Sequence, residues 1–227
     1  MPLGERLAIL FDWDGTLVNS VGVKARNAGL LFSQEYGVPF DLAEGAYRRW
    51  SGIPRRQWFD EALKGLGLPS LTEAEFTVLS KRFSDMNRFS IGEIRSFPDA
   101  RSTLDILRKF QVPLYVSSSA DTQEVRAVAQ ALELDGYFCE ILGSHQDFNK
   151  GIAHAQHVAR QQAMPVSALV MVGDEPPDIV LGKAAGMVTI GKVGTYGREH
   201  LLALGPDYVI QRLDELPHIL RLNLNRA

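Results

Sequence analysis

The chain has 227 residues, 45% of them hydrophobic and 22% charged, enough to bury a core in one large domain or in a core domain with a smaller companion. Its net charge of -3 excludes the basic excess that holds a nucleic-acid backbone. The single cysteine, Cys139, excludes an internal disulfide framework and fits a reducing compartment, so the cytoplasm is expected.

The chain opens with a short apolar run at residues 7–11, far too brief to span a membrane. The basic start and small-residue cleavage pattern of a signal peptide are missing there. The turn residues Asp14, Gly15 and Thr16 follow at once, so the run reads as a strand buried on both faces. Residues 21–95 hold no strong strand pattern, and helices are predicted over 23–36, 55–66 and 72–88. Thr72 with Glu75 three residues on has the form of a helix start. A helix follows at 100–110, and then a strand at 112–116 that runs into Ser117, Ser118 and Ser119. Next come a helix at 122–132, a short strand at 137–142 and a helix at 151–162. A strand at 168–172 ends in Gly173 and Asp174, before a helix at 177–185 and a strand at 187–190. Such alternation predicts an α/β fold, a doubly wound parallel-sheet core of residues 1–20 and 96–227. The helical block at 21–95 is read as an inserted all-helical cap over the active site.

In open α/β sheets ligands bind beyond the carboxyl ends of the strands, so the polar residues after each apolar run carry the chemistry. They are Asp12 and Asp14 after the first strand, Ser117 after a later one, and Asp174 with Asp178. Lys150 stands just before a helix. Carboxylates gathered at one place repel one another unless a cation neutralises them, and Mg²⁺ suits a site of carboxylates, water and phosphate oxygens. Asp12 is placed to attack phosphorus, and Asp14, two residues on, to protonate a leaving oxygen and then activate water. Ser117 could donate to a phosphate oxygen, Lys150 would supply positive charge, and Gly15 permits a sharp exit and a close backbone approach.

The stretch Phe11-Asp12-Trp13-Asp14-Gly15-Thr16-Leu17-Val18-Asn19-Ser20 closely resembles the first motif of the haloacid dehalogenase superfamily. Ser117 resembles the second motif, Lys150 the third, and Gly173-Asp174 with Asp178 the fourth, in the family's order. Phe97-Pro98-Asp99-Ala100 is similar to the re-entry from cap to core, and residues 206–210 to the closing strand. The resemblance implies a Rossmann-like core and a phosphoglycolate-phosphatase-like phosphomonoester hydrolase working through an aspartyl-phosphate. It implies that Asp12 is the nucleophile and Asp14 the acid/base. Asp12, Asp174 and the Asp14 backbone carbonyl would hold Mg²⁺, with Asp178 in support. Gly15, Thr16 and Ser118 would face the substrate, a small phosphorylated metabolite, in a monomer or homodimer that binds neither nucleic acid nor membrane. Lys150 is followed by Gly151 and Ile152 where the family commonly has proline, and Glu175 stands where a small hydroxyl residue is common.

Gly52 followed by Arg55 and Arg56 suggests a cap loop reaching the site, one arginine holding a second substrate anion. Lys24 and Asn19 are read as exposed, His154 and His157 as surface histidines, and Trp13 as a core residue. Residues 186–192 match the start of a phosphate-binding loop, but Val193 follows and the run reads as a strand, so that match is set aside. Two alternatives remain: a phosphosugar mutase of the β-phosphoglucomutase kind and a non-catalytic phosphate-binding relative. The absence of any histidine before His145 disfavours the mutase, which resembles this chain but carries a cap histidine.

Overall fold

Four consecutive apolar residues form the first strand, β1 (Ala8–Phe11), and all four are buried. Alternate side chains of a strand point to opposite faces. Ile9 and Phe11 accordingly join one apolar cluster and Ala8 and Leu10 another. A strand covered on both faces belongs inside a sheet, and burial of a side chain such as Ile9, Leu10 or Phe11 contributes about 1.5–3 kcal/mol. The computed structural model, which describes residues 6–145 and 148–221, places β1 in the interior of a parallel sheet.

Four helices come before the next strand: α1 (Val21–Tyr36), α2 (Phe40–Trp50), α3 (Arg55–Gly65) and α4 (Glu73–Phe89). They enclose an apolar cluster of their own, in which Phe32, Trp58, Phe59 and Phe83 stack at centroid separations such as 5.5 Å for Phe32 and Phe59. Sequence patterning did not single out α2. Its fully buried face is only Ala43 and Tyr47, and Gly45 interrupts the helical preference. Thr72 and Glu75 do form a reciprocal cap at the start of α4. The chain leaves the sheet and returns to it side by side: Asn19 N donates to Arg95 O at 2.8 Å and Phe97 N to Leu17 O at 3.0 Å.

After this return come α5 (Ala100–Lys109), β2 (Leu114–Ser117), α6 (Thr122–Ala131), β3 (Glu140–Leu142) and α7 (Ile152–Gln162). Then follow β4 (Leu169–Gly173), α8 (Pro176–Ala185), β5 (Val188–Lys192), α9 (Arg198–Ala203), β6 (Tyr208–Ile210) and α10 (Leu216–Ile219). The strand order is β3-β2-β1-β4-β5-β6, and every pairing is parallel. β5 covers most of the stretch that matched a phosphate-binding loop, so that segment is a strand. Connections run away from each other on the two sides of β1 and β4, which opens a crevice at their carboxyl ends. Among the described residues no helix is long and apolar enough to cross a membrane.

Candidate active site

The carboxyl ends of the central strands deliver their next side chains to that crevice. Asp12 follows β1, Ser117 ends β2, Asp174 follows β4 and Lys192 ends β5; all four are buried. Lys150 reaches the same point from the turn before α7. The next residue, Gly151, has φ +107°, a backbone shape that a side chain would strain. Glycine in place of the more familiar proline therefore has a local reason here.

Asp12, Asp174 and Asp178 each offer a carboxylate oxygen, and these oxygens lie within 4.8 Å of one another. Lys150 Nζ donates to Asp12 Oδ1 at 2.5 Å and lies 2.5 Å from Asp178 Oδ1. Burial alone would lower the Lys150 pKa, but the two carboxylates outweigh it and hold the ammonium above the usual lysine value. Among the described residues Asp174 has only neutral donors, Thr16 Oγ1 at 2.8 Å and Thr195 N at 3.0 Å. Burial, reinforced by the charge of Asp12, raises the Asp174 pKa. Burial likewise raises Asp178, against the pull of Lys150. Three buried carboxylates with one lysine among them form an under-neutralised, all-oxygen cluster. That donor set suits a hard divalent cation.

Gly15 shows how closely the first turn approaches this cluster. Its φ is +86°, and a β-carbon there would stand 2.3 Å from Asp174 Oδ2. Gly15→Ala is expected to displace Asp174 and weaken divalent-cation affinity by about 10- to 100-fold, the usual cost of disturbing a ligand's support. Calorimetric titration of wild type and variant with Mg²⁺ checks it, and equal affinities would show that Asp174 takes no part in holding a cation. Thr16, read from sequence as facing substrate, donates to Asp174 instead. The Ser118 hydroxyl accepts from Ala120 N at 3.0 Å in a local turn, and Ser119 lines the cavity in its place.

Asp14 stands apart from the carboxylate cluster. Ser20 Oγ donates to its Oδ1 at 2.5 Å and Lys24 Nζ to its Oδ2 at 2.5 Å. Lys24, read as exposed, is therefore buried on α1 against this carboxylate, while Asn19 is exposed as expected. On the helical side Asp14 faces a small cavity of about 30 Å³ lined also by Lys24, Tyr47, Arg55, Trp58 and Glu175. The loop after α2 closes one side: Ser51 Oγ donates to Glu175 Oε1 at 2.6 Å. Burial, and next the charge of Asp174, push the Glu175 carboxyl up to about 8.

Arg55 reaches the cavity and is tied to the sheet domain, with Nη2 2.6 Å from Glu124 Oε1 on α6. Burial would raise the Glu124 carboxyl, but Arg55 and Lys24 outweigh it and hold it below the usual value. Arg56 points elsewhere. It pairs with Asp60 at 3.0 Å and Glu73 at 2.8 Å and donates to Leu71 O, because neighbouring helical positions diverge around the axis.

Sequence reasoning also missed a histidine. His154 is completely buried, not at the surface, and its Nδ1 lies 2.9 Å from Ser117 Oγ. His157 is only half-buried and pairs with Glu140 at 2.8 Å. Lys192 was missed as well: its Nζ donates to Gly15 O at 3.1 Å and stands 3.9 Å from the Phe97 ring centroid. Its position at the end of a strand was the available signal. Ser20 closes the stretch that resembles the first motif, a signal left unused, whereas Glu124 lies outside any strand end and offered none.

A family model for haloacid dehalogenase-like hydrolases matches residues 7–186. The chain is 29% identical over 224 residues to a phosphoglycolate phosphatase of Haemophilus influenzae, covering 92% of this chain and 96% of that one. A phosphoglycolate phosphatase of Neisseria meningitidis is 28% identical over 228 residues, 96% of this chain and 95% of that relative. Among solved structures, a hydrolase from Pseudomonas syringae superposes with a TM-score of 0.83 at 20% identity, covering 96% of this chain and 99% of that one. With its strand order, its carboxylates at the strand ends and a family match over most of its length, the chain belongs to the haloacid dehalogenase-like hydrolases.

Proposed function

We propose that the chain is a Mg²⁺-dependent phosphatase that hydrolyses a small phosphomonoester through a phosphorylated Asp12. One observation carries this reading: the Asp12 carboxylate sits at a strand end among Lys150, Asp174 and Asp178, where an anion and a divalent cation can meet. Asp12, Asp174 and Asp178 would hold the cation, which supplies positive charge opposite the phosphoryl oxygens when bound.

An Asp12 oxygen attacks phosphorus, a P–O bond to Asp12 forms, and the bond to the leaving alcohol breaks. Asp14 gives that alcohol oxygen its proton, then takes a proton from water as the water oxygen attacks the same phosphorus. Asp12 departs as a carboxylate and inorganic phosphate is released. Ser20 and Lys24 hold the Asp14 carboxylate in place through both halves. Lys150 balances the charge gathered near Asp12, and Ser117 Oγ is available to a phosphoryl oxygen.

The cavity beside Asp14 is small, and phosphoglycolate, named in the relatives, is the first substrate to try. The test is phosphate release from a panel including phosphoglycolate and glucose 1-phosphate, with and without EDTA. Release from one compound that stops in EDTA supports the proposal. Release unaffected by EDTA, or none from any phosphomonoester with Mg²⁺ bound, overturns it.

Arg55 separates substrate binding from architecture. If it meets the leaving group, Arg55→Ala should raise KM about tenfold for the best substrate, the loss of one charge-assisted contact. Steady-state kinetics decide it: an unchanged KM with a lowered melting temperature leaves Arg55 only its tie to Glu124.

A further inference from the structure

We infer that His154 is a positioning residue for the Ser117 hydroxyl: its neutral imidazole donates from Nδ1–H to Ser117 Oγ and leaves the serine proton free for a phosphoryl oxygen. This rests on the proposed phosphatase reading, although its first test does not need activity.

The contact joins the last residue of β2 to the first turn of α7, and neither side chain reaches solvent. Nδ1 and Oγ are 2.9 Å apart, so one of the two must donate. The Nε2 atom is buried and has no hydrogen-bond partner. The ring packs on Phe148 with centroids 4.6 Å apart, an apolar wall that gives Nε2 nothing to bond.

Burial, and next the charge of Lys150, push the imidazole down to about 3, so it carries a single N–H at neutral pH. A proton on Nε2 would strand a donor against that wall, and Nδ1 would then take the serine proton. Ser117 could no longer donate to an anion. A proton on Nδ1 reverses both consequences. A hydroxyl accepting from Nδ1–H is also fixed in direction, with its own hydrogen turned away from the donor.

The decisive measurement is the ¹⁵N spectrum of histidine-labelled full-length protein, with the His154 signals identified by their loss in His154→Asn. Signals of the Nδ1–H tautomer, unchanged through neutral pH, support the inference; the Nε2–H tautomer or an imidazolium overturns it. Kinetics then address the role. His154→Leu should lower kcat/KM by about 10- to 100-fold, the worth of a hydrogen bond to a charged group. It should add nothing to Ser117→Ala, since both remove the same donor. His154→Asn, which can place an amide N–H near the Nδ1 position, should recover part of the loss even if His154→Leu folds poorly. Independent, additive effects of His154 and Ser117 substitutions, or equal damage from Asn and Leu, would overturn the positioning role. A wild type that releases no phosphate defeats the phosphatase reading instead, while the tautomer remains readable.

Discussion

Asp12→Asn should bring phosphate release to background, a loss on the order of 10⁴-fold or more, as when a covalent nucleophile is removed elsewhere. The amide keeps the size of the side chain but has no anionic oxygen to attack phosphorus. Lys150 would still face Asp178, so the charge at the site changes by one unit and the fold should survive. Discontinuous phosphate assays on the best substrate, with a thermal melt to confirm folding, give the answer. Substantial turnover by a folded Asp12→Asn protein would end the covalent mechanism.

Lys150→Ala should be the most damaging change to stability near the site. It leaves Asp12 and Asp178 buried together without the ammonium that now lies 2.5 Å from each. Breaking a buried pair by deleting one partner costs about 3–5 kcal/mol, mostly the desolvation of the charge left behind. Urea unfolding in EDTA is the direct measurement. Added Mg²⁺ should return part of the loss, because a cation bound only by the folded state stabilises it by mass action. The same variant should lose about 100-fold or more in kcat, since a fixed positive charge at the reacting phosphoryl group is gone. A variant as stable as wild type in EDTA would show that the carboxylates are not charged together.

The two variants separate roles that overlap in the structure. Asp12 and Lys150 touch one another, so their effects should not add. Asp12→Asn tests the chemistry with little change in packing; Lys150→Ala tests how far the carboxylate cluster depends on neutralisation. Glu175 belongs to a different problem. It touches Ser51 in the loop after α2, and so joins the helical insertion to the end of β4.

The sequence by itself determined the parallel sheet and the strand-end address of Asp12, Ser117 and Asp174. Both are local consequences: a doubly buried strand must be apolar throughout, and its first polar residue marks where it leaves the sheet. The family resemblance rested on those same residues, and the family match over residues 7–186 agrees with it. The helix α2 was not singled out: Gly45 lowers its helical preference, and its buried face holds only Ala43 and Tyr47. Only the tertiary structure decided what each polar group touches. Thr16 turns to Asp174, Lys24 to Asp14, Arg55 to Glu124 and Arg56 to Asp60 and Glu73. Ser117 and His154 lie 37 positions apart on a strand and a helix whose separate patterns say nothing of one another. Periodicity reports which face of an element is buried, whereas the partner of a buried polar group depends on how two elements pack, and that is settled only when the whole chain folds.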